Sequence, residues 1–341
     1  MTLRSASGNR ETVILDGNYE STEIITVAAS DVTIADLSIH RPYTHAIHVT
    51  ASDGHTLNTL IHNVHIIDPR EQAIKINPGG DGVYPDQGRI TCCRMELTDT
   101  GRPHVNPTAT GCYTGGVDAH QARDWVISDN HIEGFWCQSD LSEHAIHLWR
   151  GCRDTIVERN VLLDNARGVG FGMSSSGTAR SFDDEPCGGL NAYIGHYRGI
   201  IRNNFIAADR AELFSSGEGF DCGVCLWSSC GTQVLHNSIA STGPNFSSIE
   251  WRFAGSTDVL IANNAASHAI MERTDASGTV LSNLEDAPMS LFVDVQNADL
   301  HLNNNPTSAV DQGADLAENA PTHDIDVDPR DATPDIGADE I

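Results

Sequence analysis

Short runs of the form small residue, Ile or Val, variable residue, apolar residue recur along most of the chain. They read AIHV from 46, AIKI from 73, GVDA from 116, AIHL from 145, GVGF from 168, GVCL from 223, SIEW from 248 and AIME from 269. The runs align without gaps at successive offsets of 27, 43, 29, 23, 55, 25 and 21 residues. Apolar positions alternate with period two inside each run, which predicts strands; a helical solenoid would need a period of about 3.6.

A second series interleaves with the first. LIHNVHI, VISDNHIE, IVERNVLL, IIRNNFIA, VLHNSIA, LIANNAAS and VLSNLED place Asn at 63, 130, 160, 204, 237, 264 and 283. RITCCRMEL fits the same slot with Arg94 in place of Asn, and VTIADLSI with Asp36. One member falls between each neighbouring pair of the first series, so the long offsets hold loop insertions, near 98–114 and 174–196, and no coil is skipped. Short strands with polar turns and a repeat of this length describe one turn of a parallel β-solenoid, in which each coil buries its apolar side chains against the next. The recurrent Asn is expected to form a ladder of side-chain amides that satisfies buried polar groups at one turn.

Composition narrows the function. Acidic residues outnumber Lys plus Arg by 47 to 20, and the net charge of -27 repels nucleic acid and anionic membranes. No apolar run reaches the ~18 residues of a membrane span, and the first residues lack a signal-peptide pattern, as expected of a trimmed mature form. Nine Cys leave at least one thiol free or paired between copies of the chain, which keeps a homo-oligomer open. Disulfides are expected in an exported protein, with Cys112 to Cys137 or Cys187 to Cys222 as candidates.

These repeats resemble the right-handed parallel β-helix family, whose members include polysaccharide lyases, glycosidases, uronate epimerases and phage tail proteins. The resemblance covers roughly residues 13–300. It implies an all-β, single-stranded right-handed parallel β-helix of about ten coils over residues 1–304. The remaining segment, 305–341, resembles the ending of exported bacterial β-helix proteins and is expected to be a capping tail, the protein being secreted, periplasmic or held at the cell surface. One such scaffold carries many activities, so function must be argued from the site.

Alternation places the residue between the two apolar positions of each run on the outside. That column reads His48, Lys75, Asp118, His147, Gly170, Cys225, Glu250 and Met271, and the next outward column reads Thr50, Asn77, His120, Trp149, Gly172, Trp227, Arg252 and Arg273. The small residue that opens each run is expected to leave a trough beside these side chains, a groove for a polysaccharide. Lys75 is the only Lys in the chain, and it falls one coil from Asp118 and His120 and two from His147. A surface ion pair is the plain reading of Lys75 and Asp118.

The functional reading is acid-base chemistry at a uronic acid: Lys75 offsets the substrate carboxylate, His120 or His147 takes the acidified proton, and Tyr113 gives a proton to the leaving oxygen. Asp118 then serves Lys75. A Lys combined with a downstream Asp-x-His, here GGVDAH, resembles alginate-type lyases and C5-epimerases, although an aromatic three residues before the Asp and a Pro between Asp and His are missing. His48, Asn77, Trp149, Trp227, Glu250 and Arg252 are candidate substrate contacts, the two Trp as stacking platforms.

Three alternatives remain: a glycoside hydrolase on a neutral glycan that recruits Asp140, Glu143 or Asp183, a non-catalytic glycan-binding or structural β-helix, and a metal on Asp118, His120 and His147. No metal ligand set is otherwise singled out. Asp324, Asp326 and Asp328 alternate as in a calcium loop, but Pro329 stands where Gly is needed. An anionic substrate would need calcium as a bridge.

Overall fold

A computed structural model describes residues 1–80, 82–105, 111–304, 306–317 and 320–341. The chain winds as a right-handed parallel β-helix with three long parallel sheets, one of ten strands and two of nine, in which sequence neighbours always lie in different sheets. One nine-stranded sheet carries the candidate site: Ile25–Val27, Ile47–Thr50, Gln72–Asn77, Gly115–His120, Ile146–Trp149, Arg167–Gly172, Phe220–Trp227, Asn245–Arg252 and Ile270–Arg273. Here it is called the wall. No helix among the described residues is long and apolar enough to cross a membrane.

The interior is a set of stacked aliphatic columns. Ile47, Ile74, Val117, Ile146, Val169, Val224 and Ile249 occupy one register position on successive coils, and all are fully buried. Each such side chain contributes about 1.5–3 kcal/mol of burial, which a single coil could not secure without its neighbours.

At the corner leading away from the ten-stranded sheet, Asn130, Asn160, Asn204, Asn237, Asn264 and Asn283 hydrogen-bond in sequence, each amide nitrogen donating to the next side-chain oxygen at 2.8–2.9 Å. Asn63 is not a rung. It sits one residue earlier, in the left-handed corner position (φ 52°) shared with Asp36 (φ 54°), and donates to Asp36 at 2.8 Å. Val64 and Cys93 occupy the rung position in their coils, so the slot assigned to Arg94 moves back by one residue. Cys93 N–H donates to Asn130, where the ladder begins.

The small residues of the first series do not border a trough. Ala46, Ala73 and Ala145 are fully buried, and a Cβ on Gly116, Gly168 or Gly223 would come within 2.8, 3.1 or 2.6 Å of Ile132, Ile206 or Ile239 of the adjoining sheet. Two successive residues point inward at this bend, so strict alternation fails there. The bend also brings the Cα atoms of Cys222 and Cys225 to 6.0 Å, where a straight strand would hold them ~10 Å apart.

Disulfides join Cys112–Cys137, Cys187–Cys230 and Cys222–Cys225, which corrects the Cys187–Cys222 pairing: the bend turns Cys222 toward its own neighbour. Cys92, Cys93 and Cys152 are free. The parallel coils run to Leu281, followed by an antiparallel pair, Phe292–Asp294 with Asp299–Leu302. The tail lies along the flank of three coils: Arg330 bonds Asn203, Asp335 O meets His236, and Asn263 donates to Ala314 O. Asp324 spends one oxygen on the N–H groups of Asp326 and Asp328, a local turn.

Candidate active site

Register decides which outward side chains meet. Lys75 pairs with Asp118, Asp118 with His147, and His120 with Trp149, across three consecutive wall strands. The Lys75 ammonium forms an ion pair with Asp118, donates to the Tyr113 hydroxyl at 3.0 Å, and lies 3.4 Å from His120 Nε2. Asp118 also accepts from the Trp149 indole N–H at 2.9 Å and has His120 at 3.4 Å and His147 at 3.8 Å. Trp149 stacks on His147 at 5.5 Å, and His120 meets its edge at 4.7 Å.

Tyr113 reaches the cluster from the inserted loop because the Cys112–Cys137 disulfide and a Thr114 hydroxyl bond to Glu71 O pin the end of that loop. Residues 106–110 of the 98–114 insertion lie outside the described residues. The second insertion crosses elsewhere, with Arg180 making two bonds to Asp86 and stacking over Tyr84.

Burial separates this pair from an ordinary surface pair. The side chains of Lys75 and Asp118 are 4% and 3% exposed and His147 is closed off, so solvent meets the cluster chiefly through His120, Tyr113 and Trp149. Burial alone would push Lys75 down, but Asp118 and Tyr113 outweigh it and the lysine is held above its ordinary value. Asp118 resists the upward push of burial because Lys75 and His120 hold it well below the carboxylate range. Burial takes His120 below its ordinary value despite Asp118, and raises the Tyr113 phenol despite Lys75. At neutral pH the site is therefore a fixed ammonium-carboxylate pair flanked by a neutral imidazole and a protonated phenol. His120 Nε2 lies 3.4 Å from both the Lys75 ammonium, which only donates, and Asp118, which only accepts, and in either tautomer the neutral ring keeps one nitrogen as a base.

The remaining candidates lie apart. His48 pairs with Glu23 at 2.7 Å one coil before Lys75, with Asn77 beside the next column. Glu250 is four wall strands from Asp118, about 19 Å along the axis at ~4.8 Å per strand, and both its oxygens are engaged, by the Trp227 indole and by Arg273 at 2.6 Å. Arg252 lies 5.7 Å over Trp227. Of the acids offered for a hydrolase, Glu143 comes within 3.1 Å of His147. The Lys75 ammonium occupies the space between Asp118 and His120, and the clustered donor sets among the described residues are His144 with Cys222 and Cys225, Glu143 with His144 and His147, and His301 with Asp326 and Asp339. His144 was not foreseen from the sequence; the aligned His-x-x-His and Cys-x-x-Cys spacings, two coils apart, were the available signal.

A cavity of about 570 Å³, lined by Arg10, Arg94, Arg159, His301 and Asp326 among others, lies on another flank and does not border Lys75. The convergent buried charges of Lys75 and Asp118 mark the candidate chemistry.

No family model and no curated protein matches the sequence. Among solved structures, pectate lyase Pel9A aligns over 99% of this chain and 79% of its own, with 13% identity and a TM-score of 0.51. PfbA, a surface adhesin of Streptococcus pneumoniae, aligns over 79% of this chain with 13% identity and a TM-score of 0.46, and this chain spans 63% of the adhesin. A polygalacturonase from Erwinia carotovora ssp. carotovora aligns over 82% of this chain and 79% of its own, with 11% identity and a TM-score of 0.34. The protein shares the right-handed parallel β-helix fold with the pectate lyase. At this identity the likeness is one of fold.

Proposed function

We propose that the protein is a carbohydrate-active β-helix that takes a polysaccharide along the wall and removes the C5 proton of a uronic acid, as a lyase or a C5-epimerase. The observation that carries this reading is the convergence of Lys75, Asp118, His120 and Tyr113, a buried charge pair presenting one neutral base and one protonated acid toward solvent. His120 takes the C5 proton, and the electron pair passes toward the C6 carboxylate, whose growing charge Lys75 offsets. In elimination that pair then forms the C4=C5 bond as the C4–O bond breaks and Tyr113 protonates the leaving oxygen. In epimerisation Tyr113 returns a proton to C5 from the opposite face. Trp149 and Trp227 offer stacking faces, with His48, Asn77 and Arg252 lining further subsites. The net charge of -27 opposes an anionic polymer, so calcium is proposed as the bridging cation. The disulfides support an exported protein.

The test is incubation of purified protein with a panel of uronans, with and without calcium. A lyase yields ultraviolet-absorbing unsaturated ends, and an epimerase changes the sugar composition without them. Either product should vanish in Lys75→Ala and His120→Ala. Glycan binding without either product, or release of reducing sugar from a neutral glycan, would replace this reading with a binding module or a hydrolase.

A further inference from the structure

Beside the Lys75 cluster lies a second group of side chains that the proposed chemistry does not use. His144 is fully buried, and neither of its ring nitrogens has a hydrogen-bond partner. His147 Nε2 lies 3.0 Å from Gly172 O. A carbonyl only accepts, so Nε2 carries a proton, and in the neutral ring Nδ1 holds a lone pair. That lone pair faces Glu143 Oε2 at 3.1 Å, and the two atoms make no hydrogen bond. An imidazole lone pair and a carboxylate oxygen repel each other at this distance out of water; a proton or a metal cation between them turns the contact into attraction.

The neighbouring coils make room for the group. On one side Gly170 stands in register with His147, where a Cβ would come 2.5 Å from His144 Nε2. On the other, a Cβ on Gly115 would come 3.3 Å from the Glu143 Cβ. The ligand atoms of Glu143, His144 and His147 all lie within 4.8 Å of one another. A cation ~2.0–2.2 Å from each would draw them to ~3–3.5 Å, a small side-chain adjustment. The His147 Nε2–H bond to a backbone carbonyl is the outer-shell contact that orients a metal-bound imidazole. Glu143, 16% exposed, leaves one side open to solvent.

We infer that Glu143, His144 and His147 form a binding site for a first-row divalent cation of the zinc class. Two imidazoles and a carboxylate with an open position suit zinc geometry. Cys222 and Cys225 also lie within 4.8 Å of His144, but they are joined to each other as a disulfide and so are withdrawn as thiolate ligands.

The test uses the oxidised full chain, freed of metal with a chelator and titrated with zinc against a chromophoric competitor, then with cobalt for its visible spectrum. One zinc per chain is expected. Glu143→Gln and His144→Gln should each weaken binding tenfold or more, and Asp326→Asn, in the distant His301 cluster, should not. Glu143→Gln changes a partly exposed side chain, so it remains informative if His144→Gln does not fold. The inference is overturned if the wild type takes up no stoichiometric zinc or if Glu143→Gln binds as tightly as wild type. It is also overturned if cobalt shows a thiolate charge-transfer band that Cys222→Ser abolishes. Binding is read without substrate, so this site stands or falls separately from the uronate chemistry.

Discussion

Replacing Lys75 by Met tests whether the lone lysine is held in a buried pair. Lys75 and Asp118 are 3% and 2% exposed as whole residues, and their charges are each other's main compensation. Removing the ammonium leaves a buried carboxylate with the Trp149 N–H and the His120 and His147 rings beside it, a loss of about 3–5 kcal/mol. In a chain of this size that lowers Tm by roughly 4–7 °C. Lys75→Met with Asp118→Asn leaves no uncompensated charge and keeps an acceptor for Trp149, so the double variant should lose only about 1–2 kcal/mol. The double variant is thus expected to be about 2–3 kcal/mol more stable than Lys75→Met alone, measured from urea midpoints and Tm of the four proteins. Activity should stay absent in the double variant although stability returns, because the charge that the reaction uses is gone. If Lys75→Met costs under about 1 kcal/mol, as an exposed pair would, or if the two changes simply add, the buried-pair argument is wrong.

Other consequences follow from the same structure. Burial pushes His45 and His196 down to about 3 and His236 well below its ordinary value, so these groups stay neutral in the fold while the unfolded chain takes up protons below about 6.5. Unfolding then binds protons, and Tm should fall steadily from pH 6.5 toward 3; a Tm that is flat over that range contradicts the burial. Asn204→Ala removes the rung that joins Asn160 to Asn237 and exposes no surface to compensate, so we expect a loss of about 2–3 kcal/mol by denaturant titration. Gly170→Ala would press a methyl against the His144 ring and should cost about 1–3 kcal/mol, with partial recovery in Gly170→Ala with His144→Ala. Cys112→Ser with Cys137→Ser opens a loop of separation 25, at about 3 kcal/mol, and should reduce turnover beyond that loss by releasing Tyr113; unchanged turnover would remove Tyr113 from the proposed mechanism.

The sequence by itself determined the architecture, because a solenoid repeats one local solution and the repeat is written in the order of residues. Period-two apolar runs, the interleaved Asn series and the long offsets together specify coils, corner and insertions. The same alignment brings Lys75, Asp118 and His147 to one register, since in-register parallel strands stack equivalent positions. The tertiary structure alone decided what those positions face. At the bend two residues in a row turn inward, so the small column that alternation sends to a groove fills the corner against Ile132, Ile206 and Ile239. The same bend pairs Cys222 with Cys225, leaving Cys187 to Cys230. His144, marked in the sequence only by its His-x-x-His spacing, becomes a buried unpartnered imidazole because Gly170 on the next coil yields it space. Periodicity fixes which residues are neighbours; dihedral angles at corners and the volume of side chains on adjacent coils fix which way they point, and those are properties of the packed chain.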